Sequence, residues 1–179
     1  MKKNVIIALL SLILVFSVLI NYTNGSDNQM KHEQMKIEDY LQFLNEEIHS
    51  TVFSTVDNDG KPMSRVIDIM LVKENKLYFL TATTKPFYIQ LLEKPYVSIT
   101  GMKGEDSMSS VSITVNGEVR EVGTKYLDEI FDKNAYMNEI YETEESKKIL
   151  RVFEVYKGTV SVFDLGTKPI YQNSFVINE

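Results

Sequence analysis

The stretch LYFLTATTKPFYIQLLEKPYVSITG, residues 77–101, decides how this chain is read. An apolar strand pattern over residues 77–80 runs into four small residues, Thr81, Ala82, Thr83 and Thr84. Lys85 and Pro86 follow and open a short helix carrying Phe87, Tyr88, Gln90 and Leu91; Pro95 closes it, and a second strand starts at Tyr96. Proline suits the first helical turn, where its missing N–H costs nothing. The first N–H groups of a helix have no partner inside it, and its dipole places about +0.5 charge there. A hydroxyl-rich turn with a lysine at a helix start is therefore laid out as an anion site. In this reading Thr83 or Thr84 caps the helix and Lys85 supplies a full charge. The same residues also suit a plain helix cap with a solvated lysine.

On the N-terminal side, the preceding strand carries Ser64-Arg65-Val66-Ile67-Asp68. Neighbours in a meander lie side by side, so Arg65 is expected beside the turn. Its planar guanidinium suits a phosphate. Pairing with Asp68 or Glu118 is the other reading.

Apolar residues at helical spacing predict a helix over residues 37–49. Strands are expected over residues 50–56, 61–72, 77–81, 96–100 and 109–122. Asp57-Asn58-Asp59-Gly60 makes a hairpin turn, and Asn116-Gly117 reads as a bulge in the last of these strands. Residues 124–148 turn helical. Residues 151–156 and 159–165 read as a hairpin around Lys157-Gly158, and residues 175–177 as a last strand. About six antiparallel strands with short flanking helices predict an α+β fold, a small closed or nearly closed barrel.

The chain has 179 residues and a net charge of −6. An acidic balance argues against nucleic acid as a partner, since phosphate backbones demand a basic face. The chain contains no cysteine, which excludes disulfides, thiol catalysis and thiolate metal sites. Behind Lys2 and Lys3 runs VIIALLSLILVFSVLI, sixteen residues without a charge. This length fits a signal peptide or a membrane anchor, and the lysines place the rest of the chain outside the membrane. The expected organisation is thus a signal or anchor over residues 1–25, a polar linker over 26–36 and one domain over 37–179. His32 in the linker and His49 at the end of the first helix are expected to be solvated or capping. Tyr136, Tyr141 and Tyr156 read as core or dimer-interface residues. The acidic run Glu142, Glu144, Glu145 reads as a solvated face, because it lacks the ordered spacing of a calcium loop, and no metal is expected.

Taken together, the leading helix, the STVDNDGKP hairpin, Arg65 on the second strand and T-x-x-T-K-x-x-Y-x-Q-L over residues 81–91 resemble the FMN-binding split-barrel superfamily of pyridoxamine 5′-phosphate oxidase-like proteins. Pro95-x-Val97, Asn116-Gly117-Glu118-Val119 and the closing FEVYKGTVSVFDL extend the likeness. The resemblance implies a six-stranded split barrel that forms a homodimer with FMN at the subunit interface. Deazaflavin and haem are the other ligands that such barrels accommodate. Arg65, Thr84 and Lys85 would contact the FMN phosphate. The backbone of Val66 and Ile67 would lie along the flavin ring, with Thr81 and Gln90 nearby. The implied activity is oxidoreduction of a small-molecule substrate or electron acceptor. A non-catalytic flavin- or haem-binding module is the alternative. Members that oxidise vitamin B6 carry Arg-x-His near the C-terminus, whereas here no histidine follows His49 and no arginine follows Arg151. Many relatives have a tryptophan leading the strand that here begins Ser109-Ser110-Val111, and this chain has none.

Overall fold

The computed structural model describes residues 31–178; the expected signal or anchor, and residues 26–30 of the expected linker, lie outside them. Alternation dominates the described strands. In β1 (Ser50–Val56) exposed and buried positions take turns, with Thr51, Phe53 and Thr55 inward, as a half-buried strand requires. The other strands are β2 (Pro62–Asp68), β3 (Leu71–Lys73), β4 (Lys76–Ala82), β5 (Tyr96–Lys103), β6 (Val111–Gly123), β7 (Leu150–Asp164) and β8 (Tyr171–Ile177). They form one antiparallel sheet of eight strands in the order β2-β1-β5-β6-β7-β4-β3, with β8 beside β7. The fold is α+β as expected, with eight strands where six were expected.

Two of the expected strand boundaries differ. The single strand expected over residues 61–72 is divided between the two ends of the sheet. Ile69 N–H still donates to His49 O on the β1 side (3.0 Å), while Met70 N–H donates to Tyr78 O on the β4 side (2.9 Å). The chain therefore crosses from one sheet edge to the other within one peptide, and covalent continuity joins edges that no ladder joins. Arg65 consequently does not lie in a ladder beside residues 77–82; β2 pairs with β1, and β4 pairs with β3 and β7.

The expected hairpin at Lys157-Gly158 is instead the middle of β7, fifteen residues without a turn. Gly158 faces Gly117 across the ladder. A Cβ on Gly158 would lie 2.3 Å from Asn116 O, and one on Gly117 would lie 2.6 Å from Val155 Cγ1. Both glycines serve close backbone approach rather than a turn. The bulges fall at Glu118/Val119 and Glu121/Gly123, not at Asn116-Gly117.

Residues 37–49 are helical in two registers, α1 (Ile37–Gln42) followed by a π-helix (Phe43–Ile48). The π register ends with His49 N–H donating to Leu44 O, five residues back, at 2.8 Å. This helix plugs the rolled sheet: Tyr40, Leu41 and Leu44 pack with Phe53, Leu77, Phe79, Val97, Ile99 and Phe153 in the main core. A second apolar cluster joins Met70, Leu71 and Tyr78 to Ile130, Phe131 and Met137 on α3 (Leu127–Lys133) and α4 (Met137–Ile140). The helix α2 (Pro86–Glu93) lies between β4 and β5, and α5 (Glu144–Lys147) precedes β7.

His32 corrects the expectation of a solvated side chain. It is buried, with Nε2 2.7 Å from Asp164 Oδ2 and Nδ1 3.0 Å from the Tyr40 hydroxyl, and its ring stacks on Tyr171. Packing against the barrel thus begins before residue 37.

Candidate functional site

The register of β1 against β2 sets the first wall. Met63, Arg65 and Ile67 sit opposite Thr55, Phe53 and Thr51, all of which are buried. Directly opposed residues share a face, so these three β2 residues face the interior side at the open edge. The second wall comes from the end of β4 and the start of α2. Lys85 is the N-cap, extended at φ −91° and ψ 142°, because the ring of Pro86 bars it from the helical region. Neither Thr83 nor Thr84 caps the helix by its side chain, against expectation; the backbone bonds of Thr83 N–H to Ile149 O and Lys85 N–H to Ala82 O shape the turn.

Between the walls lies a cleft of about 430 Å³, lined by Met63, Arg65, Ile67, Leu80, Thr81, Ala82, Lys85, Pro86, Phe87, Gln90 and Tyr141. Of the expected site residues it brings together Arg65, Ile67, Thr81, Lys85 and Gln90. Thr84 is exposed and does not line it. Val66 points the other way, 66% exposed, into an adjoining groove.

Arg65 is held from three sides. Its Nη1 donates to Thr55 Oγ1 at 2.9 Å and its Nη2 to Gln90 Oε1 at 2.9 Å. Thr55 Oγ1 in turn donates to Gln90 Oε1 at 3.0 Å. The guanidinium carbon lies 4.5 Å from the Phe87 ring centre, a cation–π stack. Burial lowers the pKa of Arg65 from its ordinary value, yet an arginine remains charged through such a shift. Among the described residues neither Arg65 nor Lys85 has a carboxylate partner. Asp68 and Glu118, the expected competitors for Arg65, are engaged elsewhere: Asp68 with Ser50 and Tyr136, Glu118 with Tyr156 and Lys157. Two of the five guanidinium N–H groups are used in the triangle, and three remain. Among the described residues no acidic one lines the cleft.

The adjoining groove, about 200 Å³, shares Ile67, Leu80 and Tyr141 with the cleft and adds Val66, Asp68, Met70, Tyr136, Met137 and Ile140. At its end the Tyr136 hydroxyl donates to Asp68 Oδ2 at 2.7 Å and Ser50 Oγ to Oδ1 at 2.6 Å. His49 Nε2 stands 3.5 Å from the same Oδ2. Burial opposes the charge on Asp68, but the bonds from Ser50 and Tyr136 and the nearby His49 outweigh it and hold the carboxyl below its ordinary value. Burial, then the bond to Asp68, pushes the Tyr136 hydroxyl up. Tyr136 and Tyr141 are therefore site-lining residues, not only core. Thr55, Phe87 and these two tyrosines are the site residues that sequence reading missed. The one available signal was Thr55 itself, a polar residue on the buried phase of β1.

The family model for pyridoxamine 5′-phosphate oxidase matches residues 37–164. A search of curated proteins returns no match. Among solved structures, a NimC/NimA family protein from Clostridium acetobutylicum is similar at 21% identity and a TM-score of 0.65, covering 78% of this chain and 91% of that one. A heme binding protein from Mycobacterium smegmatis is similar at 13% identity and a TM-score of 0.61, covering 79% of this chain and 58% of that one. A pyridoxamine 5′-phosphate oxidase-related, FMN binding protein from Nostoc punctiforme is similar at 14% identity and a TM-score of 0.53, covering 79% and 94%. At such identities these likenesses speak to the fold. The match over residues 37–164 spans most of the chain, and with the rolled sheet and its cleft it places this protein in the pyridoxamine 5′-phosphate oxidase family.

Proposed function

We propose that the chain is an FMN-binding oxidoreductase of the split-barrel type, with the FMN phosphate on Arg65 and Lys85. The observation that carries this reading is the Arg65 guanidinium, fixed by Thr55, Gln90 and Phe87 with no carboxylate to neutralise it. The cleft fits that group. Its lining includes two cations, Arg65 and Lys85, with aliphatic and aromatic residues and, among the described residues, no acid, and its volume is within the roughly 300–1,000 Å³ of small-ligand sites. Arg65 and Lys85 would bind the phosphate, with Gln90 and Thr81 beside them and the β2 backbone at Val66 and Ile67 along the ring. Thr84 is left without a role in the cleft. When bound, FMN would supply electron transfer to a small acceptor, while the chain's own residues orient it and keep water from it.

A homodimer belongs to the same reading. Val66, Val52, Thr100, Thr114, Ser161 and Ser174 stand in one register row on the outer face of the sheet. The next row is Ser64, Ser54, Ser98, Asn116, Thr159 and Val176. Neither row carries a charge, and depletion of charge marks the centre of a protein interface.

The test is uptake of FMN by the full-length protein, followed by absorbance, with Arg65→Ala/Lys85→Ala alongside. The expected result is a yellow wild-type protein that releases FMN on unfolding and a colourless double variant. A wild-type protein that stays colourless with added FMN would sink the proposal. Met63 and Tyr141 in the cleft wall favour haem as the second reading, because methionine and tyrosine both ligate haem iron; the absorbance spectrum separates the two.

A further inference from the structure

The groove adjoining the cleft has chemistry opposite to that around Arg65. Its walls are apolar, Met70, Met137 and Ile140 among them, and its polar end is the Asp68 carboxylate with the Tyr136 hydroxyl. Among the described residues no lysine or arginine lines it. Ser50 and Tyr136 each donate one hydrogen bond to Asp68, which leaves about half of the roughly four acceptor positions of a carboxylate. His49 Nε2 lies 3.5 Å from Asp68 Oδ2 and is not among the residues that line the groove. An apolar cavity of about 150 Å³ takes one benzene ring, so about 200 Å³ suits a molecule of one-ring size.

We infer that this groove is the substrate seat, and that it takes a small apolar molecule carrying an amine or hydroxyl donor, which Asp68 accepts. An anionic head is excluded by the same carboxylate. Ile67, Leu80 and Tyr141 belong to both spaces, so a molecule seated there lies against whatever fills the cleft. The inference rests on the flavin reading for the identity of that neighbour, and on the groove itself for the substrate class.

The test uses full-length protein, with and without added FMN, and two probes of the same body: benzylamine and benzoate, followed by saturation-transfer NMR titration. Benzylamine binding without benzoate binding is the expected result. Asp68→Asn should weaken benzylamine on the order of tenfold or more, as the loss of a charge-assisted bond implies. Ile140 is 61% exposed on the groove rim, so Ile140→Trp fills the groove without touching the core and should abolish benzylamine binding. Equal binding of the two probes overturns the inference, as does an unchanged affinity in Asp68→Asn. If that variant does not fold, retained binding in Ile140→Trp overturns it alone. Benzylamine binding that depends on Asp68 in a protein that takes up no FMN sinks the flavin reading and leaves the groove assignment standing. FMN uptake without benzylamine binding does the reverse.

Discussion

Replacing Thr55 by valine tests the clamp on Arg65 with little change of shape. Thr55 is 5% exposed and its hydroxyl has two partners, accepting from Arg65 Nη1 at 2.9 Å and donating to Gln90 Oε1 at 3.0 Å. Valine fills the same volume and offers neither. A hydrogen bond to a charged group contributes about 1.5–3 kcal/mol, and a neutral one about 1. Arg65 is half-buried, so water recovers part of what its Nη1 loses. The expected destabilisation is therefore about 1.5–2 kcal/mol, near the lower end for the charged bond. For a domain of this size that lowers Tm by roughly 5 °C.

Urea denaturation measures the loss, and a double-mutant cycle with Gln90→Leu shows whether the triangle acts as a unit. If Thr55 and Gln90 jointly fix the guanidinium, the two substitutions couple by about 1 kcal/mol. FMN affinity should fall on the order of tenfold in Thr55→Val, since Arg65 stays present but is no longer held in place. A variant within about 0.5 kcal/mol of wild type, additive with Gln90→Leu and equal in FMN affinity, would show that the triangle does not position Arg65.

Gly158→Ala should destabilise by about 3 kcal/mol, read by urea denaturation, because the new Cβ meets the backbone atoms Asn116 O and Gly117 Cα at 2.3 and 2.7 Å. An unchanged midpoint would contradict the close crossing of β6 and β7. Tyr136→Phe should raise the Asp68 pKa by removing one of its two donors, which carboxyl-carbon NMR resolves. The Asp68 pKa is depressed in the folded state from an ordinary value of 3.8. Its contribution to stability is thus present above that value and disappears as pH falls through the lower folded pKa. In Tyr136→Phe the folded pKa moves back toward the ordinary value, so the acid loss should be smaller and complete at higher pH, and an identical acid-unfolding profile in the two proteins would refute this.

The local parts of this fold were legible where one residue's stereochemistry decides them. Pro86 forces Lys85 to be extended, so the start of α2 was readable from the dipeptide alone. The failures share a cause: a local signal was overruled by a distant partner. Lys157-Gly158 has the composition of a turn, but Gly158 is small because Gly117 lies opposite it. Nothing in Ile69-Met70 marks a break, since both residues suit a strand; the division arises because His49 O accepts from one N–H and Tyr78 O from the next. The site followed the same pattern. Arg65 and Lys85 stood out by type and order and Thr81 and Gln90 by the family resemblance, and all four line one cleft, whereas Tyr136 and Tyr141 looked like core because helical spacing cannot tell a wall of a cleft from the centre of a cluster.

The pleat of β2 explains why one short strand can carry two opposite charges without their cancelling. Arg65 and Asp68 are three residues apart, an odd number, so the pleat sends them to opposite faces. The register agrees: Arg65 lies opposite buried Phe53, and Asp68 opposite exposed Ser50. Had the carboxylate stood at position 67, it would have shared the inward face with Arg65 and neutralised it. Because β2 is an edge with no ladder on its outer side, both of its faces remain open to ligand-sized space near the crossing at Ile69-Met70. The inward face meets α2 and presents cations; the outward face meets α4 and presents an anion. Ile67, Leu80 and Tyr141 border both spaces, and charge is segregated across them at the distance of a few side chains. A fully closed barrel would have put a β-ladder where this passage lies, so the opening in the sheet is what gives the two spaces a common wall.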